Sequence, residues 1–396
     1  MFKRIILLLA GVWMMSAPVA AQDQPEATLI PSAVLRVEEA GLPPISRLEL
    51  PPEDLGFAGA RLAIEDNDTT GRFMGQDFEA EEVVTTPDAA ADEMDRLIDE
   101  GVEFIVVLAD DETMLSLADH AGDRVMLFNA TAHGDNLRGT DCRANTIHVA
   151  PSHAMLADGL AQFLMWKKWS RWFLIEGSHP EDAAFAEALR RSATKFGAKI
   201  VEERVYEDTG GARRTDSGHV QVQKQMPVFT QRAAEHDVVV AADDAGIFAG
   251  YLPYQTWDPR PVTGSAGLMP RAWHAAMEAW GASQFQNRFE KLTNRPMRDE
   301  DYLTWLALRM IGEAATRSQS SDPATLKEFM LSDQFEVAGF KGQKLTMRDW
   351  DHQVRQPILL VTDLLLTSVS PQDEYLHQVS QLDTLGIDRS ETECTF

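Results

Sequence analysis

The sequence predicts an α/β protein made of two doubly wound lobes, and three observations carry that prediction. Short continuous apolar runs at Phe104–Leu108, Val125–Phe128 and Val238–Ala242 are the mark of strands buried on both faces. Amphipathic helical stretches alternate with them, which implies parallel strands and right-handed crossovers. Between Arg143 and Phe196 one lobe ends and a second begins. Thr146–Val149 reads as a short strand stopped by Ala150-Pro151, and the Ser152 hydroxyl is suited to cap a helix N-terminus. Met155, Leu156, Leu160, Phe163 and Leu164 give that helix one apolar face, and Lys167-Lys168 suit its C-terminal dipole. A strand at Trp172–Ile175, a polar loop at Glu176–Pro180, a helix closed by Gly197 and a strand at Lys199–Val205 complete a βαβ unit.

The elements before and after this unit follow in order. A strand is predicted at Ala33–Val37, then a Pro-rich loop over Glu38–Pro51. Pro52 suits the first turn of a helix running to about Asp66, with Leu55, Ala58, Leu62 and Ala63 inward. A polar loop from Asp68 to Arg72, a strand at Phe78–Thr85 and a helix at Asp88–Glu100 lead to the buried strand at Phe104–Leu108. Asp110-Asp111-Glu112 opens the next helix. Beyond Val205 comes a Gly- and charge-rich surface loop, Asp208–Gly218. Tyr251–Pro261 reads as irregular, being aromatic and Pro-rich. Helices are predicted at Arg271–Trp280, Ala282–Leu292, Asp299–Arg317 and Pro323–Leu331, and late strands at Leu345–Arg348 and Ile358–Val361. This divides the chain into an export signal (1–21), a first lobe (22–150), a second lobe (151–270), a helical return segment packing on both lobes (271–340), and hinge-proximal strands with a tail (341–396).

Composition narrows the function. Hydrophobic content of 44% and charged content of 25% are those of a globular protein. With 36 basic against 62 acidic residues, a net charge of −26 argues against a nucleic-acid partner, which needs clustered Lys and Arg. Lys3-Arg4 followed by the apolar run Ile5–Met15 and the small residues to Ala21 has the form of a cleaved export signal, too short to span a bilayer. No cysteine near it offers a lipid attachment point, so a periplasmic address without membrane insertion is expected. Cys142 and Cys394 are the only cysteines. In an oxidising compartment they are expected to form one disulfide, worth at most on the order of 5 kcal/mol by chain entropy. Two buried, unpaired thiols are the alternative.

The late segment from Phe340-Lys341-Gly342-Gln343-Lys344 through Trp350 to Val361 resembles the C-terminal signature of type I periplasmic solute-binding proteins of branched-chain amino acid type. Three further blocks, Glu65–Phe73, Leu137–Asn145 and Tyr251–Val262, are similar to a subfamily associated with pyrroloquinoline quinone (PQQ)-dependent alcohol dehydrogenase systems, as is the tail Leu382–Ile387. The resemblance implies two Rossmann-like lobes joined by a multi-strand hinge. It also implies an ABC-transporter permease as partner, a small-molecule ligand between the lobes, and work beside a quinoprotein alcohol dehydrogenase. No resident cofactor is expected, and PQQ is a candidate ligand.

Ligands of doubly wound folds bind where polar loops follow the strands. The candidates are Asp110, Asn129, Ala130 and Thr131 in the first lobe, and Ser178, His179 and Asp243 in the second. By resemblance Asp243 is the acid that meets a ligand ammonium. Asp110 and His179 have a second reading as plain helix caps. Trp257 and Arg260 are added because a flat ring and a guanidinium fork suit a planar anion such as PQQ. Their alternative is a packed loop with an Arg–carboxylate pair. Asp66, Asp68, Thr70, Gly71 and Asp77 match ligand positions of a calcium loop, with Thr70 and Asp77 as departures. The preceding helix and a polar turn explain that run without metal, and no tight metal binding is expected there. The hydrolase, zinc, redox and nucleotide motifs are absent, and Gly264-Ser265-Ala266-Gly267 has the wrong spacing for a dinucleotide loop. Three functions are weighed: a solute-binding protein, a non-transport partner or sensor docking on a quinoprotein dehydrogenase or its cytochrome, and an unrecognised enzyme.

Overall fold

Five parallel strands form the first sheet: β1 (Thr28–Val37), β2 (Gln76–Thr85), β3 (Phe104–Leu108), β4 (Met126–Asn129) and β5 (Thr146–His148). The structure is a computed structural model that describes residues 27–39, 50–208 and 221–396. The expected export segment lies outside these residues, as does the expected loop beyond Asp208. The strand order β2-β1-β3-β4-β5 reverses direction at β1. The crevice at the C-terminal ends of β1 and β3 is therefore the place where a doubly wound sheet receives a ligand.

Helix α1 (Phe57–Met74) starts five residues after Pro52 and passes through the expected loop at Asp68–Arg72, ending at Gly75 in the left-handed conformation. Tertiary packing overrides the local polarity there. Asn67 is buried and donates to the Leu308 carbonyl at 2.9 Å. Helices α2 (Ala90–Asp99) and α3 (Asp111–Ala121) cover the other face of the sheet, with Met94, Leu97, Met114 and Leu117 buried.

The second lobe carries helix α4 (His153–Trp166), strand β6 (Arg171–Gly177), helix α5 (Pro180–Phe196), strand β7 (Lys199–Tyr206), helix α6 (Val222–Thr230) and strand β8 (Val238–Ala242). A short helix α7 (Leu252–Gln255) and strand β9 (Val262–Gly264) follow. Its parallel sheet runs β7-β6-β8-β9, reversing at β6. Ser152 caps α4 by accepting the Met155 N–H at 3.3 Å, and Gly197 ends α5 in the left-handed conformation.

The expected helix at Arg271–Trp280 is not formed. Met269–Arg271 is instead strand β10, antiparallel to β14 (Ile358–Val361), and Trp273 stacks on Tyr302 with ring centroids 4.7 Å apart. The long helices α8 (Ala282–Thr293), α9 (Asp299–Ser318) and α10 (Pro323–Met330) follow. Their buried side chains, from Ala282 to Met330, belong to the first-lobe core with Phe57, Leu62, Val106 and Phe128, not to a layer shared by both lobes. The apolar stripe of α9 finds its complement on α1, already anchored to the first sheet. Three short strands, β11 (Val337–Ala338), β12 (Lys344–Met347) and β13 (Val354–Arg355), extend that lobe. After β14 comes β15 (Leu366–Ser370), so the segment expected as a plain tail supplies a strand.

Sheet β10-β14-β15 is the hinge layer. Alternate residues of β14 serve different cores: Leu359 and Val361 lie in the first-lobe core, Ile358 and Leu360 in that of the second. Strand periodicity turns one four-residue run into an adhesive between lobes. Gly264 and Gly267, with φ of 99° and 73°, shape the passage from β9 to β10. A Cβ at Gly264 would stand 2.1 Å from the Ala241 carbonyl oxygen. Cys142 and Cys394 form a disulfide, bringing the chain's last residues back to the first lobe.

The tightest contact in the first lobe is that of α1 with α9. A Cβ added at Gly59 would lie 1.9 Å from the Asp301 carbonyl oxygen, which is backbone and cannot step aside cheaply. Gly59→Ala is expected to destabilise the protein by about 2 kcal/mol or more, measured by denaturant unfolding of otherwise identical chains. A change below about 0.5 kcal/mol would contradict this packing.

Candidate ligand cleft

The C-terminal edge of the first sheet carries two carboxyl groups at its switch point. Glu39 follows β1, and its carboxyl hydrogen-bonds to that of Asp110, which follows β3. That hydrogen bond, helped by burial and by like charge on Asp110, Glu112 and Glu181, pushes Glu39 up to about 7. Burial also works to raise Asp110, but hydrogen bonds from Glu39 and from the N–H and hydroxyl of Thr113 hold it below the usual range. Asp110 is thus the N-cap of α3 and a cleft group together, accepting from the Thr113 N–H at 2.8 Å. Glu181 belongs to the second lobe, so acidic groups of both lobes feel one another here.

The other first-lobe candidates are committed internally. Asn129 is fully buried; its Oδ1 accepts the Thr131 and Ala132 N–H groups, and its Nδ2 donates to the Ala132 carbonyl. The Ala130 N–H bonds to the Val107 carbonyl at 3.0 Å. The Thr131 hydroxyl both donates to and accepts from the Ala109 backbone at 2.8 Å. These residues shape the loops after β3 and β4.

In the second lobe, Ser178 and His179 follow β6, and both engage Asp208 after β7. Ser178 Oγ accepts the Asp208 N–H at 3.0 Å, and His179 Nε2 lies 3.1 Å from Asp208 Oδ2, which raises the imidazole above its ordinary value. Asp243 does not offer its carboxylate to the cleft as expected. It is buried and accepts the N–H groups of Ile247, Phe248 and Ala249 at 2.5–2.7 Å, because the chain turns sharply after β8. Its neighbour Asp244 pairs instead with His153 at the start of α4, Nε2 to Oδ2 at 2.8 Å. Burial opposes the charged form of His153, and the Asp244 carboxylate overrides it, so His153 is raised. His133 of the first lobe lies beside it, centroids 5.7 Å apart, and is pushed down to about 4 by burial and then by the charge on His153. Asp182 adds another acid, raised to about 6 chiefly by burial.

These groups sit around the first passage between lobes, which Arg138 fixes. Its buried guanidinium donates to Gln353 Oε1 at 2.9 Å, the Gly134 carbonyl at 2.9 Å and the Ala150 carbonyl at 2.8 Å. Sequence reading passed over Arg138, Glu39, His153 and Asp244. Asp244 was discoverable as one of two acids ending a buried strand, but only the turn decides which faces outward.

Trp257 and Arg260 stand apart from this constellation. They precede β9, and strands β8 and β9 run parallel, so they lie at the opposite edge of the sheet from Asp243 and Asp244. The Trp257 N–H bonds to the Thr230 hydroxyl at the end of α6, and the residue is 59% exposed. The series from Asp66 to Gly71 falls within α1, where helical rotation spreads alternate residues around the axis, and Asp77 sits on β2. Asp66 accepts from Trp305 Nε1 at 3.0 Å and pairs with Arg288, and Asp68 accepts the Phe78 N–H. No cluster of three or more His, Cys, Asp or Glu residues suited to a metal ion occurs among the described residues.

Two doubly wound lobes, a hinge sheet and polar strand ends facing one another define a two-lobed binding protein. The family model for periplasmic binding proteins matches residues 54–362, and the chain belongs to that family. Among solved structures it is similar to a branched-chain amino acid ABC transporter periplasmic ligand-binding protein from Burkholderia xenovorans, with TM-score 0.72, 16% identity, and coverage of 92% of this chain and 99% of that one. It is also similar to the leucine-, isoleucine-, valine-, threonine- and alanine-binding protein of Brucella ovis in its closed conformation (TM-score 0.70, 16% identity, 90% and 98% covered). A solute-binding protein of R. palustris in complex with benzoate has TM-score 0.65, 12% identity, and 93% and 100% coverage. No curated protein matches the sequence. Among the described residues no helix is long and apolar enough to cross a membrane.

Two outcomes test this geometry. Carbon-detected NMR should find Glu39 titrating near 7, returning toward its ordinary 4.5 in Asp110→Asn. Because folding raises this pKa, its contribution to stability is complete below about 4.5 and is lost as pH rises through about 7, so Glu39→Gln should flatten that part of the stability profile. Separately, Arg138→Met strands Gln353 Oε1 and the Gly134 carbonyl and removes one of two donors to the Ala150 carbonyl, and it should cost about 3 kcal/mol or more in denaturant unfolding, with Arg138→Lys failing to restore it for want of a fork.

Proposed function

We propose that this protein is the solute-binding component of an ABC transporter, closing two lobes over a small polar solute and presenting it to a membrane permease. The observation that carries this reading is the confrontation of polar strand ends across a hinge sheet, with Glu39, bonded to Asp110 in one lobe, sensing Glu181 of the other. A solute that touches both edges shifts the population toward the closed state. The acidic edges favour a solute that is neutral or carries positive charge, since unpaired like charges in a cleft oppose binding. The link to PQQ-dependent alcohol oxidation rests on the sequence resemblance in the blocks Glu65–Phe73, Leu137–Asn145 and Tyr251–Val262. In that setting a substrate or product of alcohol oxidation suits these edges better than the polyanion PQQ. Docking on a quinoprotein dehydrogenase or its cytochrome is a second reading, supported by Val228 on α6, Tyr254 on α7 and Trp257 just after α7, all exposed.

Native mass spectrometry of the purified protein should reveal a co-purifying small molecule. Calorimetry with that molecule should show binding weakened at least about tenfold, roughly 1.4 kcal/mol, in Glu181→Gln or Asp110→Asn. PQQ is tested in the same titrations. Tight PQQ binding that is unaffected by these two substitutions would refute the acidic-cleft reading.

A further inference from the structure

The chain passes between the lobes at Val149–Ser152, at Gly264–Met269 and again between β13 and β15, and then it returns once more. We infer that residues 382–396 form a strap, latched by the Cys142–Cys394 disulfide, that ties the two lobes together and limits how far the cleft opens. The inference goes beyond solute binding and needs no knowledge of the ligand.

One end of the strap is built into the second lobe. Leu385 is fully buried in the core of that lobe. The Gly386 N–H donates to Asp158 at 2.8 Å, while Lys195 Nζ donates to the carbonyls of Thr384 and Gly386 at 2.9 and 3.1 Å. Asp158 is completely buried and is itself met by Lys195 at 2.7 Å, so this end does not peel away easily.

The same residues grip the first lobe. Asp383 accepts from Arg348 Nε at 2.9 Å and Arg355 Nε at 2.7 Å, and Arg348 Nη2 donates to the Leu385 carbonyl at 2.6 Å. Arg348 and Arg355 belong to the β12–β13 hairpin, whose Leu345, Met347 and Val354 lie in the first-lobe core. Farther along, Arg389 pairs with Asp349, and its guanidinium lies 4.8 Å from the Trp350 ring centroid. Phe396 stacks on His352 at 3.9 Å, and Cys394 is bonded covalently to Cys142.

From Gly386 to Cys394 the chain reaches at most roughly 28 Å when fully extended. Because Asp383 and Leu385 are held by both lobes, rotating the lobes apart breaks the buried Asp383 contacts, and the disulfide then caps the separation within that reach, keeping the broken partners near enough to re-form. Without the covalent latch, Arg389 and Phe396 are surface contacts free to dissociate.

The test is the lobe-to-lobe distance distribution in ligand-free, full-length protein. Spin labels on noncanonical residues are placed at exposed Ser116 of α3 and exposed Glu187 of α5. The Cys142→Ser/Cys394→Ser double variant should give a longer and broader distribution than the wild type. A second variant keeps the disulfide and inserts a four-residue Gly/Ser segment after exposed Ser390, and it should show the same change to a lesser degree. If the serine variant does not fold, the insertion decides alone. A folded variant whose distribution matches the wild type overturns the proposal. Because no ligand is present, this result is independent of whether a solute is ever found.

Discussion

The first passage of the chain between the lobes is held by the buried guanidinium of Arg138. It joins its own loop at Gly134 and the first passage at Ala150 to the β12–β13 hairpin at Gln353, 215 residues further along the chain. Burial lowers Arg138 to about 10, which still leaves it charged at neutral pH, and the carboxylates of Asp111, Asp135 and Asp351 offset part of that burial. A fork of donors suits this place because carbonyl oxygens approach from different directions, and a point charge cannot satisfy them together. Gln353 completes the junction by donating to the carbonyls of His148 and Ala150, both at 3.0 Å.

A second polar tie lies behind it. Lys341 is buried, donates to Gln356 Oε1 at 2.7 Å, and sits 4.6 Å from the Tyr302 ring centroid. Gln356 in turn donates to the Val149 carbonyl at 2.6 Å, so the first and third passages are joined by an amide side chain. Desolvation lowers Lys341 to about 7, against the pull of Asp299. The hinge thus combines an apolar strand, β14, shared by two cores with a few directional hydrogen bonds. The apolar part holds the lobes near one another, and the polar part selects their register.

The cleft follows the same division between scaffold and edge. Several residues that sequence reasoning places in contact with a ligand, Asn129, Ala130, Thr131 and Asp243, spend their hydrogen bonds on shaping loops. The groups left at the edges, Glu39, Asp110, Glu181 and the His153–Asp244 pair, are mostly acidic. This fits a protein of strongly negative charge, and it sets a chemical preference that the fold alone would not.

The sequence by itself determined the class of the fold and most of its strands. Fully apolar runs such as Val238–Ala242 and Ile358–Val361 have one physical solution, burial on both faces, and they form strands at those positions. Caps legible in the sequence, Ser152 and Gly197, also act as read, because their hydrogen bonds are local. The tertiary structure decided whatever depended on distant partners. Asp68–Arg72 is helical because α9 covers α1, and Met269–Arg271 is a strand because β14 lies beside it. The direction of β9 sends Trp257 and Arg260 to the far edge of their sheet, and the turn after β8 chooses Asp244 over Asp243. Local chemistry is written in neighbouring residues, whereas the cleft is assembled by strand direction and hinge packing, which no local pattern records.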